Sequence, residues 1–98
     1  MTIIPTREGG SLNIALEGRL DTTTAPQLEA EVKDSLTGVS ELILDFTALE
    51  YISSAGLRVV LSAQKAMNKQ GRMVVRGVNE YVMEVLEVTG FADILTIE

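Results

Sequence analysis

The spacing of apolar and polar positions changes several times along the chain, and each change predicts a new element. Leu12, Ile14 and Leu16 alternate with Asn13, Ala15 and Glu17, the two-residue period of a half-buried strand over residues 11–17. Ile3 to Arg7 forms a weaker strand, and Pro5 within it predicts an edge position, because proline has no N–H to give a neighbour. The Gly9-Gly10 pair between them supplies the positive φ of a tight hairpin, so these two strands are expected to run antiparallel. Leu28, Val32 and Leu36 then recur every four residues, with Glu29, Glu31, Lys33 and Asp34 mainly between them. That period predicts an amphipathic helix ending at a left-handed cap on Gly38. Thr24 and Gln27 have the spacing of a capping box at its start, and Pro26 falls in the first turn, where a missing N–H costs nothing.

Residues 41–46 differ in kind. Leu42, Ile43 and Leu44 are consecutive, which predicts a central strand buried on both faces. Leu57, Val60, Leu61, Gln64 and Met67 trace one face of a second helix that begins at Ser53–Gly56 and stops at Gly71. Arg72–Arg76 reads as a further strand, and Asn79 is a good N-cap for a third helix carrying Val82, Val85 and Leu86. Ile94–Ile97 is expected to be a last strand, with a short helical ending as the alternative. The order β-β-α-β-α-β-α-β, with right-handed crossovers joining parallel neighbours after an antiparallel hairpin, defines an α/β domain with a mixed sheet flanked by helices. No linker, repeat or low-complexity tract interrupts it, so residues 1–98 read as one domain.

Composition narrows the chemistry. The chain has no His, Cys or Trp and carries 14 acidic against 8 basic residues, a net charge of −6. Without imidazole or thiol, the usual general base, thiolate nucleophile and zinc ligands are missing. The acidic balance weighs against nucleic acid or an anionic membrane as partner. The amino terminus lacks the basic start and long apolar run of a signal peptide. No apolar stretch approaches the roughly 18 residues that span a bilayer, so no direct membrane insertion and a cytoplasmic location are expected.

Ser53 and Ser54 stand where the central strand gives way to the second helix. The pattern G-x-S-x-G is absent and no histidine exists to activate a serine. Lys65 and Lys69 lie two or more turns down the helix, a poor position for a base. The phosphate-loop pattern also fails, because Gly56 is the only glycine there. Enzymatic chemistry is therefore not expected, and helix capping is the ordinary role for these hydroxyls. Asp21 is expected to brace the loop before the first helix. A glycine at 56, in the first turn, is expected to allow close approach of a neighbouring segment. A phosphoryl group on a serine at a helix N-terminus would meet free N–H groups and the positive end of the macrodipole, changing the surface and sparing the fold.

Asp45 to Leu61 resembles the central segment of the STAS domain, as found in bacterial anti-sigma factor antagonists. Gly18 to Ala25 is similar to a second recurring motif of that family, and Gly71–Val75 and Val85–Phe91 also fit its pattern. The resemblance covers essentially the whole chain in order. It implies a protein that acts by partner switching: the unphosphorylated antagonist binds an anti-sigma factor that is itself a serine kinase, and so frees sigma. The kinase then phosphorylates a serine at the start of the second helix, which ends the complex, and a cognate serine phosphatase resets it. By position that serine is Ser54, with Ser53 as the second candidate. The chain departs from the common pattern at Ser53, where antagonists often carry Asp, and at Ala55, where Ser or Thr is common. The implied partner surface comprises Asp21, Thr22, Thr23, Ser53, Ser54, Ala55, Gly56 and Arg58. No cofactor and no metal are expected, and the protein is expected to be a monomer when free. An alternative within the family is a subunit or regulator of a transporter or lipid-trafficking complex without a phosphoswitch. The remaining alternative, a small hydrolase, lacks a base.

Overall fold

A strand half in water should keep every second residue dry, and this periodicity orders the sheet. In the computed structural model, which describes residues 1–98, four strands and three helices follow one another as β1 (Thr2–Glu8), β2 (Ser11–Leu20), α1 (Ala25–Ser35), β3 (Glu41–Ile52), α2 (Ser54–Asn68), β4 (Arg72–Arg76) and α3 (Glu80–Val88). The sheet order is β1-β2-β3-β4. β1 pairs antiparallel with β2, while β2–β3 and β3–β4 are parallel. β1 is thus an edge strand, as Pro5 predicts, and Gly9 takes the left-handed φ of 61° in the hairpin.

Leu12 and Ile14 of β2 lie in register with Leu42 and Leu44 of β3, and those with Met73 and Val75 of β4. All are essentially buried. Leu28 and Val32 of α1, Val60, Ala63 and Met67 of α2, and Val82 and Leu86 of α3 pack into the same cluster. The other face of the sheet is only half covered. Ile43 is half-buried there beside Asn13, so the expectation that this strand is buried on both faces is corrected: its apolar run is an alternation in which Leu42, Leu44 and Phe46 face the core.

β3 also runs to Ile52, well past the predicted end at Phe46. Its register against β2 shifts between Ala15 and Glu17 and again between Gly18 and Arg19. At each shift β3 inserts one extra residue, the mark of a β-bulge, which bends and re-aims a strand. α3 supports this extension. Asn79 caps the helix through Oδ1, which accepts from Val82 N–H at 2.8 Å, and its Nδ2 donates to Leu49 C=O at 2.8 Å.

The chain end departs from the expected last strand. Phe91–Asp93 is a short 3-10 helix, and Leu95 then turns into the core. Only Ile97 forms a parallel bridge, to Val75, flanked by Val75 N–H to Thr96 C=O at 2.8 Å and Glu98 N–H to Val75 C=O at 2.9 Å.

α2 ends at Asn68, short of the predicted stop, and position 71 beyond it is glycine for a steric reason. The Gly71 N–H donates to Met67 C=O at 2.7 Å, and any side chain there would collide with the Ser40 carbonyl. Replacing Gly71 by Ala forces two backbone segments apart, and urea unfolding should show a loss of about 1–3 kcal/mol or more. Unchanged stability would mean that this contact is relaxed in solution.

Candidate functional site

Because β2 and β3 are parallel, the chain leaves both at the same edge of the sheet. Leu20 pairs with Ile52, and one step further Ser53 N–H donates to Leu20 C=O at 2.9 Å. The loop carrying Asp21, Thr22 and Thr23 therefore lies beside Ser53–Gly56. The predicted candidates converge on one end of the sheet.

In the first loop Asp21 Oδ1 accepts from Thr23 N–H at 3.0 Å and from Thr24 N–H at 3.1 Å. The Thr24 N–H does most to hold the Asp21 carboxyl below its ordinary pKa; desolvation opposes it, and the Thr24 hydroxyl, the Thr23 N–H and Arg19 add to the lowering. Thr22 and Thr23 are left exposed. The expected capping box does not form. Thr24 has helical dihedrals (φ −99°, ψ −19°), and its hydroxyl donates back to Arg19 C=O at 2.7 Å and accepts from Asp21 N–H at 2.9 Å. The Asp21 turn has already closed the loop and drawn the Thr24 side chain away from Gln27.

In the second loop Ser53 is the N-cap of α2, in extended backbone, and its Oγ accepts from Gly56 N–H at 3.3 Å. Ser54 is the first residue of the helix and is exposed. One serine is thus occupied with the cap, and the other presents its hydroxyl to solvent at the helix N-terminus. Gly56 makes the close approach expected of it: a Cβ there would lie 2.6 Å from Leu20 Cγ and 3.0 Å from the Leu20 carbonyl oxygen.

α1 packs beside α2, and between their first turns runs an open groove of about 400 Å³. Thr22, Ala55 and Arg58 line it, joined by Pro26, Glu29 and Ser62, which sequence reasoning did not select. Ser62 had a signal, since it follows Arg58 by four residues and so shares its helical face. On the other side of the loops, the Arg19 guanidinium lies 4.1 Å from the centre of the Tyr51 ring, and Tyr51 stacks on Tyr81 with centres 5.9 Å apart. The Arg19–Asp21 pair is long, at 3.9 Å. Lys65, the first lysine after Ser54, is eleven residues on, about 16 Å along the helix. No group of three His, Cys, Asp or Glu residues is placed to hold a metal, and no helix is long and apolar enough to cross a membrane.

Comparison with known proteins gives a consistent result. The STAS domain family profile matches residues 3–98. BtrV of Bordetella bronchiseptica, named as a candidate anti-sigma factor antagonist, is 40% identical over 90 residues, covering 90% of this chain and 78% of BtrV. The anti-sigma-B factor antagonist of Listeria monocytogenes is 31% identical over 98 residues, covering 97% and 85%. The phosphorylated form of the Bacillus cell fate determinant SpoIIAA shares the fold at a TM-score of 0.78, with 19% identity, 99% of this chain covered and 91% of that one.

Two outcomes test the site's construction. Gly56→Ala must displace Leu20, and chemical denaturation should register about 1–3 kcal/mol of lost stability. The Asp21 carboxyl, with its lowered pKa, stabilises the fold fully above the ordinary carboxylate pKa of about 3.9, and that contribution disappears as pH falls through the lower folded-state value. Thermal melting of Asp21→Asn should therefore lose less stability than wild type when the pH is taken below about 4. Equal acid sensitivity of the two proteins would remove Asp21 from this role.

Proposed function

The chain belongs to the STAS domain family, and from that membership we propose that it is an anti-sigma factor antagonist working by partner switching. Its unphosphorylated form docks on an anti-sigma factor of the serine-kinase class and releases sigma. Phosphorylation of Ser54 by that kinase ends the complex, and a serine phosphatase restores it. The observation that carries the reading is the exposed Ser54 at the N-terminus of α2, set beside the Asp21–Thr23 loop on one edge of the sheet. The antagonist names of the relatives support it.

The physics of the position suits a switch. A phosphoryl group on Ser54 adds about −1.5 to −2 charges at pH 7 and lies at the positive end of the α2 macrodipole, beside N–H groups without helical partners. Helix and cap therefore tolerate the modification, because the capping bond belongs to Ser53 and not to Ser54. The same division of labour favours Ser54 over Ser53 as acceptor, since a phosphorylated Ser53 would have to give up its bond to Gly56. With Ser in place of the usual aspartate at 53, the residue immediately before the acceptor carries no charge. The chain has no histidine and its first lysine after Ser54 lies about 16 Å along the helix, so the domain is read as the substrate of chemistry and not as its catalyst.

Incubating the purified protein with the anti-sigma factor kinase encoded in the same genome and Mg-ATP should add one phosphoryl group, read by intact mass. Ser54→Ala should take up none and should retain binding. Ser53→Ala should still be phosphorylated, with a less stable helix start. A wild-type protein that neither binds nor is modified would overturn the proposal. The phosphorylated protein should keep its far-UV spectrum and lose affinity.

A further inference from the structure

In a chain of net charge −6, α2 contains no acidic residue at all. Its solvent side presents Ser54, Arg58, Ser62 and Lys65, followed by Lys69 at its C-cap. Steps of four, four, three and four residues place these positions on one stripe. Arg58, Lys65 and Lys69 join no ion pair, and neither does Arg7 on β1, whose Nε donates to the Gly9 carbonyl, whereas Arg19, Lys33, Arg72 and Arg76 each do. Both other helices do carry exposed acids: Glu29 and Asp34 on α1, and Glu80, Glu84 and Glu87 on α3, which has no cation, while Glu8, Glu17, Glu50, Asp93 and Glu98 are exposed outside the helices.

Helix stability explains only part of this. Lys65 and Lys69 sit where the negative end of the macrodipole welcomes a cation. Arg58 lies near the opposite end, where a cation gains nothing, and it has no acidic neighbour three or four residues away on the helix. Its groove-mate Glu29 pairs with Lys33 at 3.8 Å instead. From Arg58 to Lys69 the unpaired positive strip is about 16 Å long, and it is continuous with Ser54.

We propose that this stripe is a docking surface for an acidic face of the protein partner, so that the contact extends from the two loops along α2 to Lys69. The proposal rests on the antagonist reading and deepens it by naming the chemistry of the partner's surface. A ridge of carboxylates one helix wide fits the strip and stays clear of the acids on α1 and α3. A nucleic acid or an anionic membrane fits less well, because an extended array of phosphates would meet those acids and the net negative charge of the domain. The stripe also accounts for how a modification at one end acts on the whole surface. A phosphoryl group on Ser54 stands one helical turn from Arg58, and its charge of about −1.5 to −2 offsets Arg58 and most of one lysine.

The test is the association of Lys65→Glu/Lys69→Glu with the same-genome anti-sigma factor kinase, without ATP, followed at low and moderate salt. Wild-type association should slow steeply with salt. The double reversal should associate roughly tenfold or more slowly at low salt, with a flattened salt dependence. Lys65→Gln/Lys69→Gln should fall between, which covers any loss of helix stability from acids at the C-terminal end. Glu84→Lys/Glu87→Lys on α3 should not slow association. If wild type binds and the double reversal matches it within about twofold, the stripe is not part of the contact and the antagonist reading survives without it. If wild type does not bind, that reading falls and the proposal falls with it. Binding of wild type to a 20-base-pair duplex or to phosphatidylserine vesicles, lost in the double reversal, would assign the stripe to that ligand and overturn the proposal.

Discussion

The parallel pairing of β2 with β3 is the constraint on which the rest depends. Two strands that run the same way must hand their chains out at the same edge, so the loop after β2 and the loop after β3 become neighbours without any contact of their own. The ladder that runs from Ser11 opposite Glu41 to Leu20 opposite Ile52 carries one bond further, from Ser53 N–H to the Leu20 carbonyl. That bond aligns the start of α2 with the Asp21 turn. The pairing also requires a crossover, and α1 supplies it while closing the core over one face of the sheet.

Much of this arrangement is legible in the residues because it depends on local chemistry. The hairpin glycines, the edge proline and the Asn79 cap each answer a need within a few residues of themselves. Gly56 is legible as a close approach, although not what it approaches. What escaped detection depends on neighbours distant in sequence. Thr47, Ala48 and Glu50 look like loop residues, yet they are the exposed positions of a bulged strand held by β2 on one side and by Asn79 from beneath. Ile43 completes an apolar triplet, but only the absence of a second helical layer shows that its face is half open. Thr24 and Gln27 have the spacing of a cap, and a competing acceptor three residues earlier decides the outcome. The groove needs α1 laid against α2, which no period within either helix encodes. The stacking of Tyr51 on Tyr81 likewise joins residues that only the fold brings together.

The charges divide along the same lines. An acidic chain could have spread its few cations as partners for its many carboxylates, and on the sheet it does: Arg72 bridges Glu41 and Glu98, and Arg76 joins Glu98. On α2 it keeps them apart. The scarcity of charge before Lys65 reads in the sequence as a covered helix, and its inner face is indeed buried through Val60, Ala63 and Met67. The outer face of the same helix carries three cations with no acidic partner.

The fixed start of α2 has a consequence of its own. With Gly56 seated against Leu20 and the cap held by Ser53, the first turn has no slack with which to tilt or unwind. Whatever is written on its outer surface stays legible there and is not transmitted inward. Under the proposed switch the domain acts as a label and not as a lever, and its message exists only for the molecule that reads it.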